Sequence, residues 1–229
     1  VSLMSSSSAM RVLAMAVVLM LIAGLPALAA EGTIIKAASR STGAVALTFD
    51  DGWNHRACTG IADILRARSV TATFFINGRE LEKRPWKWKK ILAGMPVGNH
   101  TYAHKRMTGL ANDAIRRQLQ RNENVHERLL GRPMLKLWRP PYGVYSDRVR
   151  RVAAEAGYRR MVLWNVQPHD WSPKTTTAQI VKRATGARRG SIILLHCRYG
   201  ATVKALPRII RPYKQRGITL VGLDELLDL

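Results

Sequence analysis

VALTFDDGWNH, residues 45–55, sets an apolar run against two adjacent aspartates and a glycine. Val45, Ala46, Leu47 and Phe49 read as a buried strand, but neighbouring carboxylates repel each other and fit poorly inside one. In a regular strand Asp50 and Asp51 would face opposite sides. Just past the strand end, with Gly52 relaxing the backbone, both can turn toward one cavity. Two readings follow. The pair can be a turn that exposes two solvated aspartates. Alternatively, one carboxylate ligates a cation while the other takes a proton, and the cation offsets their repulsion.

Outward from this stretch, apolar β-type runs alternate with helical patterns almost to the end of the chain. Strands are expected at 44–49, 71–76, 96–99, 135–138, 160–166, 191–196 and 218–223. Helices are expected at about 58–69, 80–93, 112–130, 146–156, 177–187, 202–215 and 223–228. Asn112 and Asp113 resemble an N-cap, Gly131 a C-terminal stop, and Thr176 or Thr177 a further cap. This alternation predicts a largely parallel sheet with both faces covered, either doubly wound or closed into a barrel. Both architectures put function at the carboxyl ends of the strands.

Ionisable residues collect at those ends. Asp50 and Asp51 follow one strand, His100 and His104 another, Arg139 a third, Asp170 lies soon after a fourth, and His196 ends a fifth. A single such histidine would read as structural, but five coincident strand ends would not. HTYAH, residues 100–104, spaces two imidazoles four apart, so that on a helical turn both can face one point. Two histidines and an aspartate give three ligands and leave a position open for water, the layout of a catalytic zinc site. WRPPYG, residues 138–143, forms a rigid turn whose first backbone donor after the prolines is the amide of Tyr142. Such an amide can stabilise a developing oxyanion. His196 is a candidate general acid that Asp170 could orient. Arg139 could pair with either Asp50 or Asp170.

The 229-residue chain carries 37 Lys and Arg against 15 Asp and Glu, a formal net charge of +22, which predicts attraction to anionic polymers or surfaces. Residues 10–29 follow the order of a secretory signal peptide, with Arg11, an apolar stretch and the small-residue site Ala27-Leu28-Ala29. Residues 1–30 are therefore expected to be leader and signal, with uncleaved anchoring as the alternative. The protein is then expected to be secreted or extracytoplasmic, at the cell wall or surface. Residues 31–42 are expected to connect this segment to a catalytic domain over 43–229. Export and the strand-end residues count against a nucleic-acid binder, and no stable protein partner is inferred. KRPWKWKK, residues 83–90, reads either as a contact for an anionic polymer or as a helix with a solvated basic face and both tryptophans packed inward. Two cysteines, Cys58 and Cys197, make no disulfide framework.

Five motifs in order, TFDDG (48–52), HTYAH (100–104), RPPYG (139–143), HDW (169–171) and LLH (194–196), resemble the NodB-type polysaccharide deacetylases, carbohydrate esterase family 4. The resemblance spans about residues 43–228. It implies an α/β fold, a distorted (β/α) barrel of about seven units. It also implies metal-dependent removal of acetyl groups from amino-sugar polymers such as peptidoglycan or chitin-like oligosaccharides. By this resemblance Asp50 is the general base, and Asp51, His100 and His104 are ligands of a divalent metal, zinc foremost, with cobalt or others as alternatives. The Tyr142 amide joins the oxyanion hole and Arg139 orients the base. His196 is the general acid, tuned by Asp170. Trp171, Leu194 and Pro141 wall the acetyl pocket. Trp53 departs from the proline common after TFDDG, and Asn165 and Gln167 stand where acidic residues are frequent. A non-catalytic glycan-binding protein on the same fold, or a deacetylase of another polysaccharide such as xylan, are the alternatives. In a near-closed barrel the first and last strands can be neighbours, which raises a Cys58–Cys197 disulfide as a hypothesis.

Overall fold

The computed structural model describes residues 32–229; the expected leader and signal segment lies outside them. The strands are β1 (Thr33–Ile35), β2 (Ala44–Asp51), β3 (Thr73–Ile76), β4 (Val97–Asn99), β5 (Leu137–Trp138), β6 (Arg160–Val162), β7 (Ile192–His196) and β8 (Thr219–Val221). Between and after them run α1 (His55–Ala67), α2 (Gly78–Lys83), α3 (Pro85–Ile91), α4 (Asn112–Leu130), α5 (Asp147–Glu155), α6 (Thr177–Thr185), α7 (Gly200–Gln215) and α8 (Leu223–Leu226).

The strands form one sheet in the order β1-β6-β5-β4-β3-β2-β7, with β8 also on β2. Every strand pair is parallel, so all carboxyl ends lie on one side. Ala46 pairs with both Ile192 and Val221, so β8 and β3 share one edge of β2 and β7 takes the other. Bridges Ala37–Ser191 and Val166–Ile193 join the β1–β6 side to β7 and bring the sheet close to closure. The result is a distorted (β/α) barrel with its helices outside.

Alternation along β2 sorts its side chains. Val45, Leu47 and Phe49 pack outward with Ile61, Leu65, Leu206 and Ile209 of the helical layer. Ala44 and Ala46 pack inward with Phe75, Leu137, Val162 and Ile192. Small residues suit the inner face, because the interior of a small barrel has room for few large side chains.

Local chemistry explains the helix limits. Asn54 caps α1 by accepting from the Ala57 amide. The helix then buries Ala57, Cys58, Ile61, Ala62 and Leu65, an i, i+3, i+4 stripe. Thr176, not Thr177, caps α6, in a reciprocal capping box with Gln179. Gly131 ends α4 in a left-handed conformation, φ 68°. Three expectations fail. Ala111, rather than Asn112 or Asp113, occupies the α4 N-cap, and Asn112 Oδ1 instead accepts from Arg148 at 2.8 Å. The helix expected over 80–93 breaks at Arg84, because the residue before Pro85 is driven out of helical conformation (φ −150°, ψ 68°). Residues 31–42, expected as a connection, contribute β1, which pairs with β6.

Cys58 and Cys197 are both fully buried thiols rather than a disulfide, and Cys58 Sγ points at the Cys197 carbonyl at 3.9 Å. Among the described residues no helix is long and apolar enough to cross a membrane.

Candidate active site

Inward alternation carries Thr48 and then Asp50 up the inner face of β2, toward the open end of the barrel. Asp51 would by the same rule face outward, into the helical layer. Its φ of 76° reverses that and brings its carboxylate to the histidines. Gly52 continues the turn at φ 89°, and a β-carbon there would lie 2.7 Å from the Trp88 ring, so both conformation and space require glycine. Thr101, His104, Tyr142 and His169 also hold positive φ. Among the described residues, five of the seven non-glycine residues with positive φ therefore sit in or beside the candidate motifs, a concentration of backbone strain expected where function dictates geometry.

Asp51 Oδ1 lies 3.4 Å from His100 Nε2 and 3.2 Å from His104 Nε2. One ligand atom from each of the three residues falls within 4.8 Å of the other two. His100 Nδ1 donates to the Arg139 carbonyl at 2.8 Å, which fixes the tautomer and leaves Nε2 as a lone-pair donor facing Asp51. Tetrahedral ligands about 2.1 Å from a zinc-sized ion stand about 3.4 Å apart, so the donor types and spacing fit a divalent cation. Burial opposes ionisation of Asp51, but the imidazoles of His100 and His104, when they carry on Nε2 the protons that a cation would displace, hold its pKa well below the usual carboxylate range.

Asp50, also buried, is held differently. Arg139 Nη1 donates to its Oδ1 at 2.6 Å, while Oδ2 faces His100 Nε2 at 3.7 Å. Arg139 is itself completely buried, and donates to Thr48 Oγ1 at 2.9 Å and to the Val162 and Leu163 carbonyls at 3.1 Å. Of its two possible partners the structure selects Asp50. A buried guanidinium with every edge occupied fixes one carboxylate oxygen and leaves the other available.

Across the cavity, His196 Nδ1 donates to Asp170 Oδ1 at 2.8 Å. Asp170 Oδ2 accepts from the His196 amide and from Thr202 Oγ1, each at 2.8 Å. Burial disfavours the His196 cation, but Asp170, then Asp50 and Asp51, outweigh it and raise its pKa.

These groups open on a cavity of about 390 Å³, lined among others by Asp50, Asp51, His100, His104, Tyr142 and His196. Trp171 and Leu194 line it. Pro141 does not. It is buried as the first residue of the 3-10 turn 141–143, and Pro140 takes the wall position. At Tyr142 (φ 63°, ψ 4°) the N–H donates to no backbone acceptor among the described residues. Gln167 lines the cavity too, whereas Asn165 is structural: its side chain bonds Ser191 Oγ and the Ile192 amide and ties the end of β6 to β7.

Sequence reasoning missed Thr48, Thr202, Trp164 and Arg198. Thr48 stands within TFDDG and could have been weighed as a partner for a buried charge. Arg198 follows His196 by two residues but is one cation among many. Thr202 reaches Asp170 from α7, a pairing without a local signal. Trp53 also lines the cavity, set edge-on to His104 with ring centroids 5.1 Å apart, and the Tyr142 ring flanks His104 at 4.6 Å.

Comparison with known proteins bears on the same residues. The polysaccharide deacetylase family model matches residues 37–161, more than half of the chain. That match includes Asp50, Asp51, His100, His104, Arg139 and Tyr142, and stops before Asp170 and His196. The chain is 31% identical over 188 residues to a peptidoglycan-N-acetylglucosamine deacetylase of Bacillus cereus, covering 80% of this chain and 87% of that protein. It is 33% identical to a chitooligosaccharide deacetylase of Azorhizobium caulinodans, covering 69% and 75%. A solved pseudoenzyme of carbohydrate esterase family 4 from Bacillus anthracis superposes with a TM-score of 0.80 at 29% identity, covering 86% of this chain and 69% of that one.

Proposed function

The chain belongs to the polysaccharide deacetylase family, and from that premise we propose that it hydrolyses N-acetyl groups on an amino-sugar polymer, with a divalent metal, and releases acetate. The observation that carries this reading is the meeting of three groups in one cavity: a three-ligand set, a tethered carboxylate and a carboxylate-paired histidine.

Asp51, His100 and His104 would hold the cation, with zinc the ion best suited to a nitrogen and oxygen donor set. When bound, the cation supplies Lewis acidity to the acetamide oxygen and lowers the pKa of a water in its open position. Asp50 Oδ2 takes the proton of the attacking water, because Arg139 already occupies Oδ1. The Tyr142 N–H meets the negative charge that develops on the carbonyl oxygen. His196, whose imidazolium form is favoured by the Asp170 carboxylate on Nδ1, gives its Nε2 proton to the sugar nitrogen as the carbon–nitrogen bond breaks. Trp171 and Leu194 present apolar surface to the acetyl methyl group.

Peptidoglycan and chitin-type glycans are the proposed substrates, on the strength of the two curated relatives. The export pattern of residues 10–29 supports an extracytoplasmic location. Acetate release from peptidoglycan, chitin oligomers and acetylated xylan, with and without chelator, tests the reading. Release from the amino-sugar polymers that chelator abolishes and zinc or cobalt restores is the expected result. Undiminished release in chelator overturns the metal assignment. Release from xylan alone overturns the substrate class. The likeness to a pseudoenzyme raises a binding-only reading, which would give glycan binding with no acetate from any substrate.

A further inference from the structure

The active-site cavity continues away from the catalytic groups. Trp53 lines both it and a second cavity of about 420 Å³. Arg56 and Arg84 line that second cavity and also a third, of about 600 Å³, between α1 and α3. The three form a track that starts at the reacting centre and ends over the KRPWKWKK segment. The two tryptophans of that segment have separated. Trp88 is fully buried and donates from Nε1 to the Glu80 carbonyl at 2.7 Å, which anchors the segment. Trp86 is 68% exposed and lines the third cavity, with Lys87 Nζ 5.1 Å from its ring centroid.

The charges along the track are unequal. Beyond the catalytic cavity, Asp63 and Glu80 are its acidic residues, and each is already paired, with Arg66 and Lys83 respectively. Among the described residues, no acidic side chain engages Arg56, Arg84, Lys87 or Lys90. A groove with unneutralised cations concentrates field and draws anions. An exposed tryptophan offers a sugar ring a flat apolar face.

We propose that this track binds the acidic continuation of the substrate strand: a glycan bearing carboxylate groups, with a sugar on Trp86 and its anions on Arg56, Arg84, Lys87 and Lys90, while its acetylated unit lies in the catalytic cavity. The inference rests on the deacetylase reading and refines it, since it makes the enzyme selective for acidic glycan strands over uncharged ones.

The test compares kcat/KM on an uncharged N-acetylglucosamine oligomer with kcat/KM on peptidoglycan fragments that retain carboxylate-bearing peptide stems. In the variant Arg84→Glu with Lys87→Glu and Lys90→Glu, activity on the acidic fragments falls about tenfold or more at low salt, and activity on the uncharged oligomer holds within about twofold. Parallel loss on both substrates, or no loss on the acidic one, overturns the proposal. The unaltered enzyme gives a check independent of folding: raising ionic strength lowers kcat/KM more steeply for the acidic fragments than for the uncharged oligomer. Equal salt dependence overturns it as well. Adding a phosphate-rich wall polymer separates the two sources of anion. Competition against the acidic fragments only is the expected result, and tight binding of that polymer with no competition assigns the track to it instead of to the substrate strand. Absence of acetate from every substrate would refute the deacetylase reading rather than the track.

Discussion

In the first half of β2, residues 44–47 bury apolar side chains on both faces and pair with β7 and β8, all in ordinary extended geometry. The second half, residues 48–51, buries a threonine and two carboxylates, meets a fully buried arginine and ends in left-handed backbone. One strand thus carries apolar packing at one end and buried, partnered charge at the other. Burying charge is expensive unless partners surround it, and the partners here come from the ends of β4, β5 and β7, of which β7 pairs directly with β2. The difference predicts that substitutions in the upper half cost activity, and those in the lower half stability.

The largest effect is expected at Asp51. Asp51→Ala removes a proposed ligand and is expected to cost several kcal/mol of transition-state stabilisation, more than about a thousandfold in rate. Elemental analysis shows the metal lost in parallel. Asp50→Asn keeps metal but loses about 10²- to 10⁴-fold in kcat, the range for a general base. An active Asp50→Asn enzyme would break the division of labour between the two aspartates. Asp170→Asn costs about 10- to 100-fold, as for other groups that orient a working residue, and its pH profile carries the sharper reading. Asp170 raises the His196 pKa against the opposing effect of burial. Removing it lowers that pKa, so the protonated acid is lost earlier as pH rises and the alkaline limb moves to lower pH. An unmoved limb excludes His196 as the acid. The smallest effect on turnover is expected below, at Leu47. Leu47→Ala empties a fully buried site and costs about 2–5 kcal/mol of stability, read as a fall in melting temperature, with kcat per folded molecule near normal. A drop in kcat as large as that of Asp50→Asn would erase the contrast between the halves.

Most of the barrel was legible because hydrophobic periodicity is local: the seven expected strands are present, each within a few residues. β1 escaped because Thr33, Ile34 and Ile35 are too few to set a pattern, and their strand character comes from pairing with β6. The site was legible for a similar reason. A parallel sheet aligns its carboxyl ends, so ionisable residues after apolar runs must converge. Which member of a Pro-Pro pair faces the cavity, and which of two tryptophans in a basic segment turns inward, are decided by tertiary packing. The sequence around Pro140 and Pro141 carries no such information, whereas Ile91 and Leu92, three and four residues after Trp88, could have marked Trp88 as the inward one, since Lys89 and Lys90 stand at those spacings from Trp86. The break between α2 and α3 could have been read, since a residue before proline rarely stays helical.

Arg139 serves the two aspartates through different parts of itself. Its side chain grips Asp50, and its carbonyl orients His100, which faces Asp51. The carbonyl belongs to the peptide unit and is present whatever residue stands at this position; the guanidinium is lost with any substitution of the arginine. Variation at position 139 is therefore expected to act on Asp50, the proposed base, through the side chain, while the peptide carbonyl remains available to His100. To inheritance the two functions are separable traits, although a single residue carries both.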